Sequence, residues 1–166
     1  FVMLYLDIIK LLIRNTDYWV GLSIVPILLL ANIFLGWVYN LSVWYKLTHK
    51  TIYGAILSVV GAIITITMNV VLIPKIGYTG AAWTTFTAYG VMAILSYVFG
   101  NRFYPVPYDK LKIIGYVVLA VTIWGVSEQL TISNSYFKYA ANTGLLIVFT
   151  LIIVKLEWGF LKRFIK

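Results

Sequence analysis

Catalysis and metal binding need groups that hold a proton, a metal or a nucleophile, and this chain has few of them. Its single His, His49, sits in Lys46-Leu47-Thr48-His49-Lys50 between two apolar runs. With no second His and no carboxylate beside it, His49 offers neither a metal site nor half of an acid–base pair, and it reads as a solvated loop residue. Cys is absent, which removes thiol catalysis, disulfide frameworks and zinc knuckles. There is no nucleophile elbow, phosphate loop or paired carboxylate. The expectation is a protein that is not an enzyme and carries no metal and no cofactor.

What the spacing does provide is neutral polar groups on helical faces. Gly54, Ser58, Gly61, Thr65 and Asn69 recur at intervals of 4, 3, 4 and 4, which puts all five on one side of a helix. Such a stripe is either a close helix–helix contact or the wall of an aqueous cavity. Asn32, Gly36 and Asn40 recur every four residues after Pro26, whose missing N–H predicts a kink. Two carboxamides in a membrane helix need partners, so they either bond a neighbouring helix or line a polar pathway. Asn32, Asn40, Ser58, Thr65 and Asn69 are therefore the candidates for a substrate pathway. Asn40-Leu41-Ser42 also matches a glycosylation sequon, an accidental match at the end of an apolar run. Thr84, Thr85, Thr87 and Ser96 make the next run mildly polar on more than one face.

These faces must be carried by membrane helices. Of 166 residues 62% are hydrophobic and only 11% charged, with a mean hydropathy of +0.95, too few charges to cover a water-soluble domain of this size. Charge-free runs cover Tyr18 to Tyr45, Thr51 to Pro74, Ile76 to Asn101, Ile113 to Ser127 and Tyr139 to Val154. The first three exceed the roughly 20 residues needed to cross a bilayer. The last two cross once extended to about Leu111–Ile132 and Phe137–Trp158, with Lys112, Glu128, Lys138, Lys155 and Glu157 reaching the interfaces. The expected architecture is an all-α polytopic helix bundle of five transmembrane helices.

Five crossings divide the cations between two sides. Lys46, Lys50, Arg102, Lys110, Lys112, Lys155, Lys162, Arg163 and Lys166 fall on one side, and Lys10, Arg14, Lys75 and Lys138 on the other. By the positive-inside rule the richer side is cytoplasmic, so the start is external and the end cytoplasmic. The net charge of +8 is then an orientation signal rather than a nucleic-acid footprint, with attraction to anionic lipid as a secondary effect. Aromatic belts agree: Tyr18, Trp19, Tyr78, Trp83, Tyr136, Phe137 and Tyr139 mark one interface, and Trp44, Tyr45, Phe103, Tyr104, Tyr108 and Trp158 the other. In Leu4 to Arg14, the apolar Leu4, Ile8, Leu11 and Leu12 share one face and Asp7, Lys10 and Arg14 another, as in an amphipathic helix lying on the outer interface. The expected division is an end of a truncated upstream helix plus amphipathic segment over 1–17, a five-helix lobe over 18–158 and a basic tail over 159–166. No apolar run contains a central charged residue, which counts against a proton- or sodium-binding carboxylate in these spans.

The run from Val25 to Gly36, the stretch Asn40 to Thr48, and above all Asn69-Val70-Val71-Leu72-Ile73-Pro74-Lys75-Ile76-Gly77-Tyr78-Thr79-Gly80-Ala81-Ala82 resemble bacterial polysaccharide biosynthesis proteins. These are the O-antigen, lipid-linked oligosaccharide flippase branch of the multidrug/oligosaccharidyl-lipid/polysaccharide exporter superfamily. In that stretch Pro74 is expected to end one span, Gly77 and Gly80 to allow the turn, and Gly80-Ala81-Ala82 to start the next in close contact. Tyr104-Pro105-Val106-Pro107-Tyr108 is also familiar from the branch and reads as a stiff extended connector. The likeness covers roughly residues 18–108, and the last two helices by hydropathy alone. It implies the second lobe of a two-lobed transporter in a bacterial inner membrane, facing an N-terminal lobe of the same chain that lies upstream. The implied substrate is an undecaprenyl-diphosphate-linked oligosaccharide, moved by alternating access for lipopolysaccharide or other polysaccharide synthesis. Lys46, Lys50 and Arg102 would attract the diphosphate at the cytoplasmic mouth. A drug or cation antiporter of the same superfamily and a non-transporting membrane scaffold subunit are the alternatives.

Overall fold

The computed structural model describes residues 1–104, 110–129 and 135–164, and within them the side chains except at 16–18, 110, 135, 136 and 159–164. Among the described residues there are helices and turns and no strand. A short α1, Leu6–Ile9, lies between 3-10 turns at Val2–Tyr5 and Lys10–Leu12. A 3-10 stretch, Thr16–Ile24, leads into α2, Val25–Leu41, followed by α3, Val43–Leu47, α4, Ile52–Ile76, α5, Tyr78–Phe103, α6, Lys110–Gln129, and α7, Ser135–Phe164. Five stretches are long and apolar enough to cross a membrane: Trp19–Leu47, Ile52–Ile76, Tyr78–Phe103, Leu111–Gln129 and Phe137–Trp158. The protein is an all-α, multi-pass membrane bundle.

The chain divides into two compact units, one of Asn15–Pro107 and one of Phe1–Arg14 with Tyr108–Lys166. In the first unit α5 packs against both α2 and α4. Its buried residues are Gly80, Ala82, Thr84, Ala88, Ala93, Ser96 and Gly100, all small, and small side chains are what let membrane helices approach closely. The α4 helix runs antiparallel to α5: Leu72 meets Gly80, and Gly61 meets Met92, while Tyr53 at its start meets the rings of Phe99 and Phe103 at a tilt. The α2 helix runs parallel to α5. The Tyr78 hydroxyl donates to Val20 O at 3.3 Å, Phe34 meets Phe86, and Trp44 just beyond α2 stacks on Phe103.

Pro26 and Pro74 stand near the ends of their helices, and Pro74 acts differently from its expected role. Pro26 stands in the first turn of α2, directly after the 3-10 stretch, a position its fixed φ suits. Pro74 lies inside the last turn of α4 and does not end it. The helix stops at Gly77, whose φ of 61° and ψ of −144° suit only a residue without Cβ, and whose N–H donates to Ile73 O.

The second unit is an antiparallel hairpin of α6 and α7. Lys112 near the start of α6 lies 3.6 Å from Glu157 near the end of α7, and Tyr116 also donates to Glu157. At the other end Ser127 Oγ donates to Asn142 Oδ1 at 2.8 Å. The N-terminal segment packs on this hairpin, joined to helices more than a hundred residues away in sequence.

Candidate functional site

The small-residue stripe on α4 is mainly a packing surface at its glycines. A methyl on Gly54 would come within 2.8 Å of Tyr45 Cε2, and one on Gly61 would collide with Met92 Sδ. Its hydroxyls turn back on their own helix, Ser58 Oγ to Gly54 O at 3.0 Å and Thr65 Oγ1 to Gly61 O at 2.8 Å. Ser58 is exposed and Thr65 half-buried. Back-bonding of this kind satisfies a hydroxyl without a neighbour. Asn69 differs, because its Oδ1 is buried and has no hydrogen-bond partner. Thr84 Oγ1 on α5 is in the same condition, in a residue with 0% exposure. The pairings of Leu72 with Gly80 and of Gly61 with Met92 set an antiparallel register that brings Asn69 level with Thr84.

The carboxamides of α2 do not bond a neighbouring helix. Asn32 Nδ2 donates to Leu28 O at 2.8 Å and Asn40 Nδ2 to Gly36 O at 3.1 Å. Ala31 and Val38 are buried and Phe34 packs on Phe86 of α5. At about 100° per residue the Asn32, Gly36, Asn40 row lies on roughly the opposite side of α2. Both Asn residues are exposed, and a methyl on Gly36 would meet nothing within 4 Å. Each amide keeps one oxygen and one N–H for something outside the helix.

Lys46, Lys50 and Arg102 share one end of the first unit, since α2 leads into α3 there, α4 begins there and α5 ends there. Lys50 Nζ sits 3.6 Å from the centroid of the Phe103 ring, and Lys46 and Arg102 are exposed. Lys50 is turned toward α5 by a tight reversal in which His49 takes φ 55° and the Lys50 N–H donates to Tyr45 O at 2.9 Å. The structure therefore gathers Lys46, Lys50 and Arg102, and it places the Asn32 and Asn40 row on the face of α2 directed away from α5.

Trp44 corrects the belt reading. It is 3% exposed, its Nε1 donates to Ser96 Oγ at 3.3 Å, and a methyl on Gly100 would come within 2.8 Å of its Cδ1. It is a core residue of an aromatic cluster with Tyr45, Tyr53 and Phe103, not a lipid-facing anchor. Trp19, Tyr78, Trp83, Phe137, Tyr104 and Trp158 are exposed as an interfacial belt requires. Tyr108 and Lys166, and the side chains of Asp17, Tyr18, Lys110, Tyr136, Lys162 and Arg163, lie outside the described residues, as does the connector 105–108.

In the second unit the expected amphipathic segment is helical but docked. Asn142, 1% exposed, accepts from Ser127 and donates to Leu4 O at 2.7 Å. Tyr5 OH and Thr143 Oγ1 are 2.6 Å apart. Asp7 bonds Lys10 at 2.8 Å and Lys138 at 2.7 Å, and these two ammonium groups, Lys10 first, hold its carboxyl down at about 2 from 3.8. Leu4 is buried while Ile8, Leu11 and Leu12 are exposed, so the polar face grips the hairpin and most of the apolar face is turned outward. Asn142 carried no sequence signal beyond being an Asn inside an apolar run. Among the described residues no group of His, Cys, Asp or Glu could hold a metal ion. Comparison with family models, with curated proteins and with solved structures gives no match.

Proposed function

We propose that this chain is the second lobe of a flippase that moves an undecaprenyl-diphosphate-linked oligosaccharide across a bacterial inner membrane by alternating access, for O-antigen or other polysaccharide synthesis. The observation that carries the reading is the Asn32, Gly36, Asn40 row. Two exposed carboxamides on an apolar helix, bonded only to their own carbonyls, are costly against lipid and suited to sugar hydroxyls, which both donate and accept. The resemblance of residues 18–108 to the flippase branch supports the same reading. In it Ser58 and Thr65 extend the polar lining along α4, Asn69 contributes at the α4–α5 boundary, and Lys46, Lys50 and Arg102 attract the diphosphate at the entrance. Neutral donors and acceptors allow a glycan to slide, because no single hydrogen bond is strong enough to hold it.

The test is the double variant Asn32→Leu with Asn40→Leu in the full-length protein. Surface glycan should fall while the amount of protein in the membrane is unchanged. Unchanged glycan at normal abundance would remove the lining role of this row.

A further inference from the structure

The basic end of the first unit has a property that a transport route does not need. Lys46 at the end of α3, His49 and Lys50 on the α3–α4 turn and Arg102 at the end of α5 lie together at one end, and between Asn15 and Pro107 the sequence holds a single acidic residue, Asp17. Asp17 precedes α2, at the opposite end from the turn. Among the described residues no carboxylate pairs with Lys46, Lys50 or Arg102. In place of a carboxylate, Lys50 has the face of Phe103, which orients an ammonium and leaves its charge uncompensated. Phe103 is itself fixed by Trp44 and Tyr53, and Trp44 by Ser96 and the gap at Gly100. The non-glycine φ of 55° at His49 is an uncommon backbone state. It is held by the bond from Lys50 N–H to Tyr45 O, so the turn keeps Lys50 on the ring.

We propose that this end binds the phosphate of an anionic bilayer phospholipid, held by Lys50, Arg102 and Lys46 above the aromatic cluster. The lipid phosphate supplies the negative charge that this end lacks among the described residues, and acyl chains have an apolar surface to follow below it, since Leu47, Ile52, Ile56 and Val98 are all exposed beside this end. The transported diphosphate would meet these cations only on entry, whereas the resident headgroup is a phospholipid, because Lys50 is set on α5 while the Asn32 and Asn40 row looks away from α5. The inference requires the helices to cross a membrane and does not rest on the glycan reading.

The experiment places the full-length protein in nanodiscs of phosphatidylcholine with a minor share of phosphatidylglycerol and counts co-purifying phosphatidylglycerol by native mass spectrometry. Enrichment over the bulk ratio is expected, weakening about fivefold for each of Lys50→Gln and Arg102→Gln. It should fall as salt rises and persist in Lys50→Arg, since guanidinium also stacks on an aromatic ring. Thermal loss of helical signal, followed in parallel, identifies any variant that unfolds, and for such a variant the Lys50→Arg comparison decides. Equal enrichment in the Gln variants would overturn the proposal. So would displacement by inorganic phosphate alone, or retention of a prenyl diphosphate with no enrichment of phosphatidylglycerol.

Discussion

A methyl group at position 80 has nowhere to go, because it would stand 2.8 Å from the backbone carbonyl carbon of Leu72, and backbone cannot swing aside. Gly80→Ala should destabilise the protein by about 1–3 kcal/mol, the usual cost of overpacking. At Gly115 on α6 nothing lies within 4 Å of the added methyl, so Gly115→Ala should be neutral or stabilise by up to about 1 kcal/mol through helix propensity. Thermal loss of helical circular dichroism in detergent, with the two variants side by side, checks both signs. Thr84 gives a prediction of the opposite kind. Its buried, unpartnered hydroxyl is costly in apolar surroundings, and Val keeps the shape without the oxygen, so Thr84→Val should stabilise by about 1 kcal/mol in the same measurement. A clear destabilisation would mean that the hydroxyl has a partner in the membrane-embedded protein.

At the scale of elements, the N-terminal segment is held mainly by polar bonds, with the buried Leu4 and the stacking of Tyr5 on Tyr139 as its apolar contacts. Ile8, Leu11 and Leu12 are exposed, Leu12 at 85%, so much of the attachment rests on Asn142, the Tyr5–Thr143 pair and Asp7 with Lys138 and Lys10. Asn142→Ala removes the buried donor to Leu4 O and leaves Ser127 without its acceptor, at a cost of about 1–3 kcal/mol. Hydrogen exchange over residues 1–14 should then rise while α4 and α5 stay protected. Asp7 sets the pH dependence. Its carboxyl is depressed from 3.8 to about 2, so its contribution is fully present above 3.8 and is lost as pH falls through about 2. A spin label on Leu12→Cys should therefore keep its neutral-pH mobility down to about 4 and become more mobile only below it. Because Asp7 is nearly half exposed, salt should weaken this pairing more than it weakens the Asn142 bonds.

For the whole molecule, the crossing of α4 is directly measurable, because the chain has no Cys and any introduced thiol is unique. His49→Cys just before the helix and Lys75→Cys in its last turn mark the two ends of Ile52–Ile76, a helix of roughly 37 Å at 1.5 Å per residue, longer than the roughly 30 Å hydrocarbon core. An impermeant maleimide should label the two from opposite sides of the membrane. Labelling from the same side would refute the crossing. What was legible beforehand follows from this thickness. Any run long enough to cross must be free of charge through its middle, so the spans Ile52–Ile76 and Tyr78–Phe103 could be read to within a few residues. The α5 packing surface was harder to see. Its small residues Gly80, Thr84, Ala88, Ser96 and Gly100 are interleaved with Ala82 and Ala93, since α5 packs against helices on two sides and shows no single stripe. Trp44 was misread for a related reason: an aromatic near a span end looks the same in sequence whether it faces lipid or a gap such as Gly100.

The sequence by itself determined that the chain is helical, crosses a membrane and carries its cations unevenly between the two ends of its helices. Hydropathy, span length and charge position are properties of each segment alone, and lipid tests each segment separately. Only the tertiary structure decided how the polar residues are used. It tied Asn32 and Asn40 to their own helix and turned their row away from α5. It set Lys50 on Phe103, buried Trp44 against Ser96, and joined Leu4 to Asn142 across 138 positions of sequence. A hydrogen bond or a ring contact forms only when two groups arrive within a few ångströms, and the packing of helices sets that distance.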